Sequence, residues 1–172
     1  MQTFILLFRG INVGGNNKLP MKELKALLSE LGYQQVQSYI QSGNVVLKAT
    51  SVDIDLIGQR IAQQFGFTPK IMPLTTDALS QSITNNPYSS FAGNTVQFYF
   101  CQQTPSFNED KATDLATNGE EFLLVDKVLY LHAPNGIGRS KLAAKLEDYL
   151  GVSTTVRNLN TVEKLKALTD TA

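Results

Sequence analysis

Val36-Gln37-Ser38-Tyr39-Ile40-Gln41 and Asn44-Val45-Val46-Leu47-Lys48-Ala49 are two β-rich runs parted only by Ser42-Gly43. So short a glycine turn between such runs reads as a hairpin. On its N-terminal side, Leu24, Leu27, Leu28 and Leu31 recur at helical spacing. Pro20 suits the first turn of that helix, and Gly32 suits its end. On the C-terminal side, Asp53 can cap a second helix whose stripe is Ile54, Ile57, Ile61 and Phe65, closed by Gly66. Thr3 to Phe8 reads as a buried first strand. Pro69 to Leu74 reads as a short fourth strand whose prolines suit an edge. The order around the hairpin is therefore β-α-β-β-α-β.

The same order restarts further on. Thr75 to Ile83 reads as a linking helix, and Asn85-Asn86-Pro87-Tyr88-Ser89-Ser90 and Gly93-Asn94 are turn chemistry. Thr95 to Cys101 is a strand. Ser106-x-x-Glu109 has the form of a capping box for a helix ending at Gly119. Glu121 to Val125 and Val128 to His132 flank Asp126-Lys127 as a second hairpin. Ser140 to Leu150 is a helix with Leu142, Leu146, Tyr149 and Leu150 inward, ending at Gly151. Ser153 to Val156 is a last strand, and Asn160-x-x-Glu163 opens a terminal helix. The expected fold is α+β: two tandem ferredoxin-like β-α-β-β-α-β units with antiparallel sheets. They cover residues 1–74 and 95–172, with a linking helix and loop over 75–94 and an extra C-terminal helix. The order of elements repeats, but the residues do not.

Composition narrows the class of protein. The chain has 172 residues and is 42% hydrophobic, ordinary for a globular fold. The apolar run Phe4-Ile5-Leu6-Leu7-Phe8 has no basic stretch before it and is too short to span a bilayer, so neither a signal peptide nor a membrane segment is expected. The lone Cys101 excludes an internal disulfide and fits a reducing cytoplasm. The formal net charge is zero, which gives no global pull towards nucleic acid or acidic membrane. The charge is unevenly spread: residues 1–73 hold seven Lys/Arg against four Asp/Glu, 74–138 two against seven, and 139–172 six against four. Either this is scatter on a solvated surface, or the two ends of the chain share a basic face.

Topology nominates two loop clusters. In a β-α-β-β-α-β unit, the loop after the first strand and the central hairpin turn lie at one end of the sheet. In the first half these are Arg9-Gly10-Ile11-Asn12-Val13-Gly14-Gly15-Asn16-Asn17-Lys18 and Gln41-Ser42-Gly43-Asn44. The third and fourth strands end at the opposite sheet end, which in the second half gathers Asn135-Gly136-Ile137-Gly138-Arg139-Ser140-Lys141 and Arg157-Asn158. Docked face to face, the two ends would form a cleft holding Arg9, Lys18, Arg139, Lys141 and Arg157.

Each motif has a plainer alternative. Gly10-x-x-x-x-Gly15 lacks the Lys-Ser/Thr of a phosphate loop, since Asn16-Asn17 follow, and it lacks the dinucleotide fingerprint. What remains is glycine-rich backbone ahead of a helix start, which favours anions, or a loop that needs glycine for its dihedrals. Gly136-Ile137-Gly138-Arg139-Ser140-Lys141 is the stronger anion candidate, because cations at a helix N-terminus disfavour the helix unless an anion sits there. His132 and Cys101 are expected to be a satisfied histidine and a small buried thiol. One His and one Cys cannot build an ordinary zinc site, so no metal is expected. RNA-recognition modules share the element order but need aromatic central strands, and Asn44-Val45-Val46-Leu47-Lys48 is aliphatic.

Leu7-Phe8-Arg9-Gly10-Ile11-Asn12-Val13-Gly14-Gly15, Pro20-Met21-x-Glu23-Leu24 and Tyr39-Ile40-Gln41-Ser42-Gly43-Asn44-Val45-Val46 closely resemble the bacterial domain-of-unknown-function 1697 family. Gly136-x-Gly138-Arg139-Ser140-Lys141 and Thr155-x-Arg157-Asn158-x-x-Thr161-Val162-x-Lys164-Leu165 agree with it in the second half. The chain departs at Leu159, where the family commonly has Trp. The resemblance implies paired ferredoxin-like units and supplies no activity, substrate or cofactor. The expectation is an uncharacterised cytoplasmic protein that binds a phosphorylated or other anionic ligand, a phosphate-bearing small molecule or a nucleic-acid backbone, in a cleft between its halves. The residues named for that role are Arg9, Asn12, Gly14, Gly15, Lys18, Ser42, Asn44, Gly136, Gly138, Arg139, Ser140, Lys141, Arg157 and Asn158. An enzyme acting on such a ligand and an assembly domain whose strand edges pair with another chain are the alternatives. No catalytic constellation is recognisable and no cofactor is expected.

Overall fold

The computed structural model describes residues 1–171. The fold is mixed α+β, with two four-stranded antiparallel sheets and, among the described residues, six α-helices. The chain divides into two compact units: Met1–Ser80 with the chain from Lys164 onward, and Gln81–Glu163.

In the first unit, β1 (Gln2–Arg9), α1 (Met21–Glu30), β2 (Gln34–Tyr39), β3 (Asn44–Ala49), α2 (Ile54–Phe65) and β4 (Lys70–Thr75) follow in order. The sheet order is β2-β3-β1-β4, and Pro73 sits on the edge strand β4, where a missing N–H costs no ladder bond. Leu6 and Phe8 of β1, Val45 and Leu47 of β3 and Ile71 of β4 turn one face to Leu24, Leu27 and Leu28 of α1 and Ile57 and Ile61 of α2. Ile5, Leu7 and Val46, on the other face, are also fully buried, which is why β1 reads as a continuous apolar run and not an alternating one. Asp53 caps α2 by accepting from the Leu56 amide at 3.0 Å, and Gly66 ends it in the left-handed conformation.

After α3 (Thr76–Thr84), the second unit comprises β5 (Val96–Cys101), α4 (Glu109–Leu115), β6 (Glu121–Val125), β7 (Val128–His132), α5 (Lys141–Leu150) and β8 (Thr154–Asn158); α6 (Leu159–Asp170) follows. The sheet order is β6-β7-β5-β8. Tyr99, Cys101, Leu129 and Leu131 pack against Ala112 of α4 and Leu142, Leu146 and Leu150 of α5. On the other face, Phe98 and Tyr130 meet edge to face at 5.0 Å, and the Tyr130 hydroxyl donates to the Ser82 carbonyl at 2.6 Å. Phe98 and Phe100 are buried, so they do not form an exposed platform of the RNA-recognition kind.

Three local expectations need correction. The cap of α4 is Asn108, accepting from the Lys111 amide, and not Ser106. The amides of Ser106 and Asn108 donate to Leu150 and Tyr149 carbonyls at the end of α5, which holds 106–108 extended and delays the helix. That helix also stops at Leu115, short of Gly119. Finally, Arg157 and Asn158 lie in β8, paired with Phe98 and Gln97, and α6 starts directly afterwards, with the Asn158 side chain accepting from the Thr161 amide at 2.9 Å. No helix among the described residues is long and apolar enough to cross a membrane.

Candidate functional site

In the first unit the glycine-rich loop and the hairpin turn meet at one sheet end, as the topology requires. The Phe8 amide donates to the Gly43 carbonyl at 2.8 Å. Asn12 completes the join: its side-chain amide donates to the carbonyls of Leu19 and Gln41, both at 2.9 Å, and its side-chain oxygen accepts from the Leu19 amide at 2.8 Å. Within the loop, the Asn12 amide donates to Asn17 O, the Asn16 amide to Val13 O, and the Asn17 side chain to Gly10 O. The loop is thus a folded excursion and not slack chain. Its turns require positive φ at Gly10, Asn12, Gly14, Gly15 and Asn17.

Gly14, Gly15 and Lys18 are exposed at the tip and flank of this excursion, and a side chain at Gly14 or Gly15 would meet nothing within 4 Å. Behind them α1 begins at Met21 after Pro20 with no side-chain cap. Asn44 is fully buried and donates to the Tyr39 carbonyl and the Ser42 hydroxyl, so it pins the hairpin turn. Ser42 is exposed and Arg9 half-buried, and both have partners within the fold. Ile40, in the same turn, is exposed with φ of 53°, a strained conformation for a β-branched residue. Val13 is the other exposed aliphatic residue of these loops.

In the second unit, β7 and β8 both end beside the start of β5: His132 pairs with Val96, and Asn158 with Gln97. The chain leaving β7 turns back at once, with the Gly136 amide donating to the Ala133 carbonyl at 3.0 Å, and a short 3-10 turn, Ile137–Arg139, leads to α5. Gly136, at φ of 96°, holds a backbone conformation that favours glycine, although a side chain there would meet nothing within 4 Å. Ser140 caps α5 by accepting from the Ala143 amide at 3.0 Å and donates to the Glu120 carboxylate at 2.7 Å. The other Glu120 oxygen accepts from the Asn118 amide at 2.5 Å. Burial pushes the Glu120 carboxyl up, but the Ser140 hydroxyl and the backbone amides of Glu120 and Asn118 outweigh it and hold the group below its ordinary value. Asn135 ties the loop to Asn118 through its side-chain amide. Arg139 and Lys141 are exposed, and among the described residues neither has an ion-pair partner.

Arg157 is half-buried in β8; burial lowers its guanidinium to about 10, and it donates to the Val156 carbonyl at 2.9 Å. Leu159 is buried at the start of α6. His132 and Cys101 are at opposite ends of the sheet. Val96 pairs with His132, and Cys101 lies five residues further along β5, about 16 Å at strand rise. No nucleophile–base pair forms between them. Burial, helped by Glu147, pushes the Cys101 thiol up to about 11, the opposite of activation. Among the described residues no group of three or more His, Cys, Asp and Glu could hold a metal.

Two features of this sheet end have no sequence motif. Glu120 beneath Ser140 is one acid among many in the sequence, and nothing marks it until the fold brings it to the helix cap. The second is an aromatic stack: Phe91 lies over His132 with ring centroids 3.9 Å apart and a 17° tilt, Tyr88 is 6.3 Å from Phe91, and Glu121 is 4.0 Å from His132 Nδ1.

A family model described as a protein of unknown function, DUF1697, matches residues 1–130. Among solved structures, a conserved bacterial protein of Streptococcus pneumoniae is 24% identical over 98% of each chain, with a TM-score of 0.74. That likeness shows the fold. An unknown protein from Galdieria sulphuraria is 13% identical over 91% of this chain and 98% of its own, with a TM-score of 0.27. No curated protein matches.

Proposed function

The chain belongs to the DUF1697 family, whose function is unknown, and from that premise we propose that it binds a phosphate-bearing or other anionic ligand on its glycine-rich loops, each carried by a ferredoxin-like unit. The shared strand order of the two sheets, second-third-first-fourth in each, supports a tandem pair of such units. The observation that carries the binding role is the start of α5. Arg139 and Lys141 flank a helix N-terminus, where each cation opposes the helix by about 0.3–1 kcal/mol. Glu120 supplies one buried negative charge there, but its oxygens are taken by Ser140 and Asn118, and it makes no ion pair with either cation. An external anion relieves that arrangement. The loop glycines Gly136 and Gly138 let it approach the backbone. Gly14, Gly15 and Lys18 offer a second, weaker version ahead of the α1 start, which has no side-chain cap.

The test is a thermal-shift series with phosphate, pyrophosphate and polyphosphate at low salt. A ligand at about 100-fold its Kd adds roughly 2.7 kcal/mol, which for a chain of this size raises Tm by about 5–10 °C. Arg139→Glu combined with Lys141→Glu should remove most of the shift. A flat response across the panel, or an undiminished shift in the double variant, would overturn the reading for the second unit.

A further inference from the structure

We propose that Asn118 is a self-modification site: its side chain deamidates by attack of the amide that follows it, and the acid formed loosens the cap of α5. The inference stands apart from the anion reading above.

Deamidation of this kind is least hindered at Asn-Gly, because glycine puts no side chain beside the attacking nitrogen. The chain has two such steps, Asn118-Gly119 and Asn135-Gly136. Sequence alone does not separate them, but the fold does. At Asn135 both reacting groups are engaged. The Gly136 amide donates to the Ala133 carbonyl at 3.0 Å, and the Asn135 side-chain nitrogen, the leaving group, donates to Asn118 O and Oδ1, both at 3.1 Å. At Asn118 neither group is engaged. Among the described residues the Gly119 amide has no acceptor, and the Asn118 side-chain nitrogen makes no hydrogen bond. The bond to that side chain falls on Oδ1, from Asn135, where negative charge develops when Cγ becomes tetrahedral. Gly119 is exposed and lies between α4 and β6, outside any helix or strand. Swinging its nitrogen onto Cγ therefore breaks no helix or ladder bond.

The reaction balances with water alone. Gly119 N gives its proton to hydroxide and bonds to Asn118 Cγ. The Cγ–Nδ2 bond breaks, and the nitrogen takes a proton from water and leaves as ammonia, closing a succinimide. Water then opens the ring at either carbonyl. Breaking the new N–Cγ bond gives aspartate; breaking the original peptide bond gives isoaspartate, with the main chain one methylene longer. Either product sets a carboxylate close to buried Glu120, one of whose oxygens accepts from the Asn118 amide and the other from the hydroxyl of Ser140, the α5 cap. The two like charges repel, and in isoaspartate the longer chain also draws the Asn118 amide off Glu120. The disturbance thus passes through Glu120 to Ser140.

Ageing the native full chain in mildly alkaline buffer, followed by tryptic peptide mapping by mass spectrometry, tests this. Cleavage at Lys111, Lys127 and Arg139 puts Asn118 and Asn135 on separate peptides, 112–127 and 128–139. Asn118 should convert faster than Asn135 by at least roughly 2- to 13-fold, the worth of the one backbone hydrogen bond that holds the Gly136 amide. In urea, where that bond is lost, the two steps should convert at like rates. Converted chains should exchange the Ala143 amide, which Ser140 Oγ holds at 3.0 Å, faster than unconverted ones. Equal native rates, or Asn135 ahead of Asn118, overturn the assignment of the site. Unchanged exchange at Ala143 after conversion overturns the link to α5. A native chain that keeps Asn118 intact while the unfolded chain converts it overturns both.

Discussion

Gly43→Ala is the sharpest test of how the first unit's loops are held. Gly43 has φ of +92°, and a Cβ built there falls 2.6 Å from Phe8 Cβ and 2.7 Å from Ile11 Cδ1. Carbon atoms prefer 3.5–4.0 Å. The Ile11 methyl can rotate away, but Phe8 Cβ is fixed to the backbone of β1, and the Phe8 amide is bonded to the Gly43 carbonyl. The left-handed conformation costs a non-glycine residue about 1–2 kcal/mol, and overpacking typically costs a further 1–3 kcal/mol. The expected loss is about 2–5 kcal/mol, a large share of an ordinary domain's stability. Gly14→Ala is the control, with φ of +57° and open space around the new methyl, so only the first cost applies. The chain has no tryptophan, so urea unfolding is best followed by far-UV circular dichroism. Gly43→Ala should be less stable than Gly14→Ala by about 1–3 kcal/mol. Equal midpoints and slopes would refute the close approach of the hairpin turn to β1.

Asn12→Ala removes the side chain that joins the loop to Leu19 and Gln41; it should cost about 1–3 kcal/mol and speed hydrogen exchange at the Leu19 amide. Unchanged exchange there would deny the join. Glu120 has its carboxyl held below the ordinary 4.5, so it contributes stability above that pH, and the contribution is lost as pH falls through the folded value. The stability gap between wild type and Glu120→Gln should therefore be widest near neutrality and close in acid; a gap independent of pH would show that the carboxylate is not the group responsible. Cys101, buried and with its thiol pushed up to about 11, should resist a disulfide reagent at pH 8 in the native state and react on unfolding. Prompt native labelling would contradict its burial. Asn158→Ala should cost about 1 kcal/mol through loss of the α6 cap, read from the unfolding midpoint.

The elements that the sequence made legible are those with a local cause. The leucine stripe of α1, the Asp53 and Ser140 caps and both hairpins follow from spacing and turn chemistry, and the topology then brought Arg9–Lys18 beside the Gln41–Asn44 turn. The misjudged boundaries have a non-local cause. Ser106 has the form of a cap, but the Leu150 carbonyl, 44 residues on, claims its amide first. β8 runs to Asn158 because its last residues find ladder partners in β5. Among the nominated residues, Asn12, Asn44, Ser140 and Asn158 spend their side chains on the fold, while Gly14, Gly15, Lys18, Gly138, Arg139 and Lys141 stay exposed. No local pattern separates those two groups, since Ser140 sits between Arg139 and Lys141. The Phe91–His132 stack joins residues 41 positions apart and has no sequence motif.

The most direct measurement is an amide chemical-shift titration of the full chain with pyrophosphate at low salt. Anion binding on the second unit should move the amides of Gly136, Gly138, Arg139 and Lys141 in a saturable way, with the same residues silent in the Arg139→Glu, Lys141→Glu double variant. Absent shifts, or saturable shifts confined to residues away from both glycine loops, would contradict the proposed function.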